Sequence, residues 1–195
     1  MEQTPIIFQN YNYLEVPIDV LEYAEKYNGI CGEAAIAALL DMTVKDVFDK
    51  GNIDRENFKG FTLQKEIRAI LIRLGYSSIQ KKIDNKFILP KCDFGIIRVS
   101  FGNPKQHWSK TASLSHYIAI KRFMQGWYIY DNAIDMFDGQ KINGIWIEKS
   151  EYYEVMKQEN MFITSYLQLH KTRENLFPTE DIIAVKKQTT MIDNI

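Results

Sequence analysis

Cys31, His116 and the acid–amide pair Asp131-Asn132 are the residues of this chain whose types and settings could make and break an acyl bond. Thiol-based acyl transfer needs a thiolate to attack and an imidazole to hold its proton. It also needs an acid or amide to orient the imidazole, and hydrogen-bond donors for the developing oxyanion. Cys31 lies in Asn28-Gly29-Ile30-Cys31-Gly32-Glu33-Ala34-Ala35-Ile36-Ala37-Ala38-Leu39-Leu40. Gly29 and Gly32 permit a tight turn and a close backbone approach. The alanines and leucines after them are strong helix formers, and Ala35, Ile36, Leu39 and Leu40 recur at helical spacing. The pattern predicts a cysteine at the first turn of a buried helix over 31–41. There, free N–H groups and the positive end of the helix dipole favour a thiolate. Taken alone, the stretch reads first as a buried, inert cysteine.

The later residues change that weighting. His116-Tyr117-Ile118-Ala119-Ile120-Lys121-Arg122-Phe123 has the pattern of a strand, Met124-Gln125-Gly126 that of a turn, and Trp127-Tyr128-Ile129-Tyr130 that of the return strand. If Phe123 pairs with Gly126, Asp131 falls opposite Ile118, one diagonal step from His116 on the same face and within side-chain reach. A register slip of one residue puts Asn132 there instead, and a further slip brings Asp135 closer. Asp131 is the first choice and Asn132 the second. His107, beside Trp108 in a polar loop, is a rival base or a cleft-lining residue. Cys92, after Pro90-Lys91, reads as small, partly buried and inert. No short Cys-x-x-Cys or His-x-x-x-His spacing supports a zinc site, so no metal or cofactor is expected.

The elements that must position these groups follow an α-then-β order. Residues 1–16 read as an aromatic, extended wrap over the core. Pro17 opens a short helix through Tyr27, and the cysteine helix follows. Thr43 with Asp46 forms a capping-box pattern for a helix to Lys50, and residues 51–60 are loop. Thr62 is the expected cap of a helix striped by Leu63, Ile67, Ile70, Leu71 and Leu74 and ended by Gly75. Strands are expected over 77–83, 87–89, 94–100, 116–123, 127–130, 145–147 and 161–169. A short helix is expected near 150–158, and residues 102–115 form a polar loop. The fold class is therefore α+β, with N-terminal helices packed on an antiparallel sheet. One domain over 1–170 and a loosely attached tail over 171–195 is the expected organisation.

Composition narrows the function. The 195 residues carry 24 basic and 25 acidic side chains, without a basic stripe for nucleic acid or an acidic tail. The 11 Tyr, 11 Phe and 3 Trp argue against disorder. Two cysteines make no disulfide framework, and neither a signal peptide nor a membrane-spanning run is legible. A reducing cytoplasmic setting, without membrane or nucleic-acid partners, is the expectation. Richness in Ile, Lys and Asn is associated with AT-rich bacterial or phage genomes.

The ordered set resembles the papain-like cysteine peptidases, and is most similar to their compact bacterial and phage branch, which includes the bacteriocin leader-processing peptidases. The residues that carry the resemblance are Cys31-Gly32-Glu33-Ala34-Ala35, Leu74-Gly75-Tyr76, His116-Tyr117-Ile118-Ala119-Ile120 and Asp131, spanning roughly 20–135. It implies a papain-like fold and a Cys31–His116–Asp131 triad. It also implies a thioester acyl-enzyme and a protein or peptide substrate cleaved at a peptide or isopeptide bond. Such peptidases place an oxyanion-donating glutamine six residues before the cysteine, and here that position holds Glu25. Asn28, nearer and with a donating amide, is the expected substitute, together with the Cys31 N–H. Two alternatives stay open: a glutamine deamidase or transglutaminase-like protein on the same fold, since the same acyl-enzyme chemistry serves it, and a binding module without activity, to which the departure at Glu25 points.

Overall fold

Apolar residues recur at helical spacing in the first part of the chain and alternate in the second, and the elements follow that division. The computed structural model describes residues 15–172 except 28, 59, 61, 103–114, 125, 135, 138 and 139. All but residues 15 and 16 of the expected wrap over 1–16, the loop with His107 and Trp108, Asn28, Asp135 and the tail beyond 172 therefore lie outside the described residues. The helices are α1 (Val20–Tyr27), α2 (Cys31–Leu39), α3 (Val44–Lys50), α4 (Gln64–Arg73) and α5 (Lys149–Gln158). The main sheet comprises β1 (Tyr76–Lys81), β2 (Phe94–Phe101), β3 (Ser115–Phe123), β4 (Gly126–Asp131), β7 (Ile145–Glu148) and β8 (Met161–Lys171), in the order β1-β8-β2-β3-β4-β7. Every neighbouring pair is antiparallel. A small hairpin of β5 (Met136–Phe137) and β6 (Gln140–Lys141), absent from the sequence expectations, stands apart from it. The expected α+β class, with N-terminal helices packed on an antiparallel sheet, is the one observed.

Strand alternation divides the core into two layers. Ile96, Ala119, Tyr130, Trp146, Leu167 and Leu169 face α2 and the helices around it. Ile97, Val99, Ile118, Ile120, Ile129 and Ile147 face the other way, towards Tyr152, Val155 and Met156 of α5. Helix α2 is the centre of the first layer, since every residue from Gly32 to Leu39 is buried. Truncating Ile36 or Leu39 there would cost about 2–5 kcal/mol through lost transfer energy and the cavity left behind. So the cysteine is carried on the most deeply packed of the described helices.

Three local expectations are corrected. Phe87-Ile88-Leu89 is not a strand. The Asn85 side chain accepts from the Phe87 N–H at 2.9 Å and folds the segment into a turn, leaving Phe87 and Ile88 exposed. Thr62 does not cap α4: the N-cap is Leu63, whose N–H donates to Glu66 Oε2 at 2.6 Å. The Thr62 hydroxyl donates to Glu33 instead. Gly126 belongs to β4 rather than to the turn, since it pairs directly with Phe123.

Candidate active site

The register of the central hairpin decides which acid can meet His116. Phe123 pairs with Gly126 and Ala119 with Tyr130, which places Asp131 at the end of β4 beside the start of β3. His116 is the second residue of β3, opposite Val99 of β2. Its Nε2 lies 2.7 Å from Asp131 Oδ1, and both side chains are buried. Gly144 allows this strand end to form: it has φ 85°, and a Cβ there would lie 2.9 Å from the Asp131 carbonyl oxygen.

Cys31 opens α2 and is partly exposed, as a reacting group must be. The Cys31 thiol lies near enough to the His116 ring to add to the forces that favour its protonated form. With Nε2 turned to Asp131, Nδ1 is the ring nitrogen left for the sulfur. The N-cap of α2 is Ile30, whose side chain cannot accept and so leaves the first-turn N–H groups beside Cys31 uncapped by it. Gly29, at φ 133°, lets the chain pass the loop at residue 60: a Cβ on it would sit 2.3 Å from the Gly60 carbonyl oxygen.

The electrostatics follow from burial and pairing. Burial alone would push the His116 imidazole down. The charge and hydrogen bond of Asp131, and those of Cys31, more than reverse this and raise it to about 10. The neutral-pH form of the ring is therefore the imidazolium. Burial pushes the Asp131 carboxyl up, but the His116 charge and the hydrogen bonds it accepts hold it below the usual carboxylate range. Those bonds come from His116, from the Ala133 N–H at 2.8 Å on Oδ1, and from the Tyr152 hydroxyl at 2.5 Å on Oδ2.

Tyr152 is the site residue that sequence reasoning missed. It is fully buried on α5, and burial beside Asp131 raises its hydroxyl well above the ordinary tyrosine value, so it stays a donor. The helical stripe Tyr152, Val155, Met156 was available as a signal for burial. Nothing in the sequence connected that hydroxyl to a carboxylate 21 positions earlier.

The remaining candidates fall elsewhere. Asn132 follows Asp131, but its side-chain oxygen is buried without a partner among the described residues, and the ring contact is made by Asp131. Glu25 is exposed on α1, and its polar partner among the described residues is Lys141, at 3.6 Å. Cys92 packs with Ile97 and Val99 in the second layer, and burial pushes its thiol up. Among the described residues, no group of three His, Cys, Asp or Glu side chains is arranged to hold a metal ion. Nor is any described helix long and apolar enough to cross a membrane.

No protein-family model matches the chain, and no curated protein matches it. Among solved structures it is similar to the peptidase domain of Streptococcus ComA, a bifunctional ABC transporter involved in a quorum-sensing pathway. The two are 13% identical, the match covers 73% of this chain and 91% of that one, and the TM-score is 0.40. At this distance function has to be read from the site itself.

Proposed function

We propose that the chain is a papain-like thiol hydrolase that cleaves a peptide or isopeptide bond through Cys31, His116 and Asp131. The observation that carries this reading is a buried imidazole held by a carboxylate at 2.7 Å, with a partly exposed thiol at a helix start near enough to influence its charge. In the resting pair the thiol proton already sits on His116, and Asp131 orients and stabilises that imidazolium. The thiolate attacks the substrate carbonyl carbon, and the oxyanion lies against the first-turn N–H groups of α2. The imidazolium then protonates the leaving nitrogen, the C–N bond breaks and a thioester remains. Water, deprotonated by His116, attacks that thioester, the C–S bond breaks, the acid leaves and the thiolate–imidazolium pair is restored. With Glu25 paired to Lys141, the helix N–H groups carry the oxyanion role in this reading, with Asn28 as the side-chain candidate. A reducing cytoplasmic compartment would keep the thiol usable.

The test is alkylation by iodoacetamide in a Cys92→Ser background, so that only Cys31 reports. At pH 6 the thiol should react much faster than a simple model thiol such as glutathione, and His116→Ala should remove the advantage. A search among peptides, isopeptide conjugates and glutamine amides then follows, with Cys31→Ser abolishing turnover. Alkylation no faster than glutathione and unchanged by His116→Ala would overturn the enzyme reading and leave a binding module on this fold.

A further inference from the structure

Glu33 has no part in the chemistry above, yet it is fully buried two residues after Cys31. Two residues turn a helix by about 200°, so Glu33 points away from the face that carries the thiol. There it lines a cavity of about 530 Å³ between α2, α4 and the segment 52–58 with Thr62. The Thr62 hydroxyl donates to Glu33 Oε1, while Oε2 is buried without a hydrogen-bond partner among the described residues. Burial raises this carboxyl to about 7, despite the hydrogen bonds that lower it. An unpaired carboxyl oxygen inside a protein is costly, and a cationic donor placed against it removes that cost.

The rest of the lining defines the ligand. Among the described residues, Asp54 and Glu66 add two more carboxylates, which also accept from Asn57 and from the Leu63 N–H, against the guanidinium of Arg73, which donates to the Gly51 carbonyl at 2.8 Å. Ile53, Phe58 and Ile70 supply an apolar wall. A carboxyl floor, an acidic rim and an apolar wall suit an ammonium or guanidinium on an aliphatic stem. We propose that this cavity binds the side chain of a lysine or arginine presented by a peptide, stem against Ile53, Phe58 and Ile70 and cationic head at Glu33 Oε2. The site lies behind the nucleophile helix and does not depend on the reaction assigned to Cys31.

The full-length chain, labelled with ¹⁵N, is titrated with the N-acetyl, N-methylamide derivatives of lysine, arginine, norleucine and glutamine. Saturable shifts of the Ile53, Phe58, Thr62 and Ile70 amides are expected with lysine and arginine, with norleucine and glutamine at least about tenfold weaker. Glu33→Gln should weaken the lysine derivative by a similar factor while leaving the circular dichroism spectrum unchanged. Absence of saturable shifts at these amides up to tens of millimolar would overturn the proposal, as would equal binding of norleucine. Undiminished lysine binding by a folded Glu33→Gln would do the same. The comparison of lysine with norleucine needs no variant, so it decides the matter even if Glu33→Gln fails to fold.

Discussion

At the scale of single residues, the Asp131 carboxylate gathers more interactions than any other group of the candidate site. Among the described residues three donors reach its two oxygens, the Tyr152 hydroxyl alone on Oδ2. Tyr152 touches no reacting atom in the proposed reaction, so its role is to position Asp131 and, through it, His116. Tyr152→Phe keeps the packing and deletes one hydrogen bond to a buried charge. The expected cost is about 1.5–3 kcal/mol in urea unfolding. The Asp131 carboxyl should also titrate higher, which moves the acid limb of the Cys31 alkylation profile to higher pH. A purely structural hydroxyl would lower stability and leave that limb in place. Asp131→Asn acts more strongly, since it removes the charge that keeps the imidazole protonated. By NMR, the His116 ring should be an imidazolium at pH 7 in the wild type and neutral in the variant. The unfolding free energy should fall by about 3 kcal/mol, the cost of breaking a buried ion pair.

At the scale of elements, helix starts show how far local sequence governs this fold. The Thr43–Asp46 capping box is formed as its spacing predicts: Asp46 N–H donates to Thr43 Oγ1 at 3.0 Å, and Thr43 N–H to Asp46 Oδ2 at 3.4 Å. Asp19 completes the cap from 25 positions away, accepting from the Val44 and Lys45 N–H groups at 2.8 Å each. Thr43→Ala should therefore cost about 1 kcal/mol in denaturant unfolding. Asp19→Ala should cost about as much, although no local pattern marks Asp19. The Thr62 expectation fails for a complementary reason, because its hydroxyl has a better use on the buried Glu33 carboxyl than on an exposed helix end. The central hairpin was legible because its register follows from the turn between Phe123 and Gly126, and that register alone puts Asp131 beside His116. The segment 87–89 was not, because a short apolar run does not distinguish a strand from a turn until Asn85 closes it. Contacts between distant elements, such as Tyr152 with Asp131, leave no periodic trace in the chain.

At the scale of the whole molecule, three buried ionisable groups set how stability depends on pH. Asp131 is held below its ordinary value, so its contribution is present above about pH 3.8 and is lost as pH falls through the lowered value. Glu33 is raised from 4.5 to about 7, so the folded state keeps a proton that the unfolded chain releases. Its contribution is full below pH 4.5 and disappears as pH rises through 7. His116 is raised from 6.5 to about 10, so its contribution is full below pH 6.5 and disappears as pH rises through 10. Together they place the stability maximum near pH 4–5 and a two-stage decline above it. For Glu33 the decline amounts to about 3 kcal/mol, from about 1.36 kcal/mol for each pH unit of displacement. Urea unfolding of the full chain at pH 5, 7 and 9 should show the midpoint falling at each step. Glu33→Gln should flatten the first step, leaving the variant more stable than the wild type at pH 8. His116→Gln should flatten the second step. A wild-type midpoint that rises from pH 5 to pH 7 would mean that Glu33 is ionised inside the fold. Its Oε2 would then have found a partner, and the balance between α2 and its cavity would have to be redrawn around that ion pair.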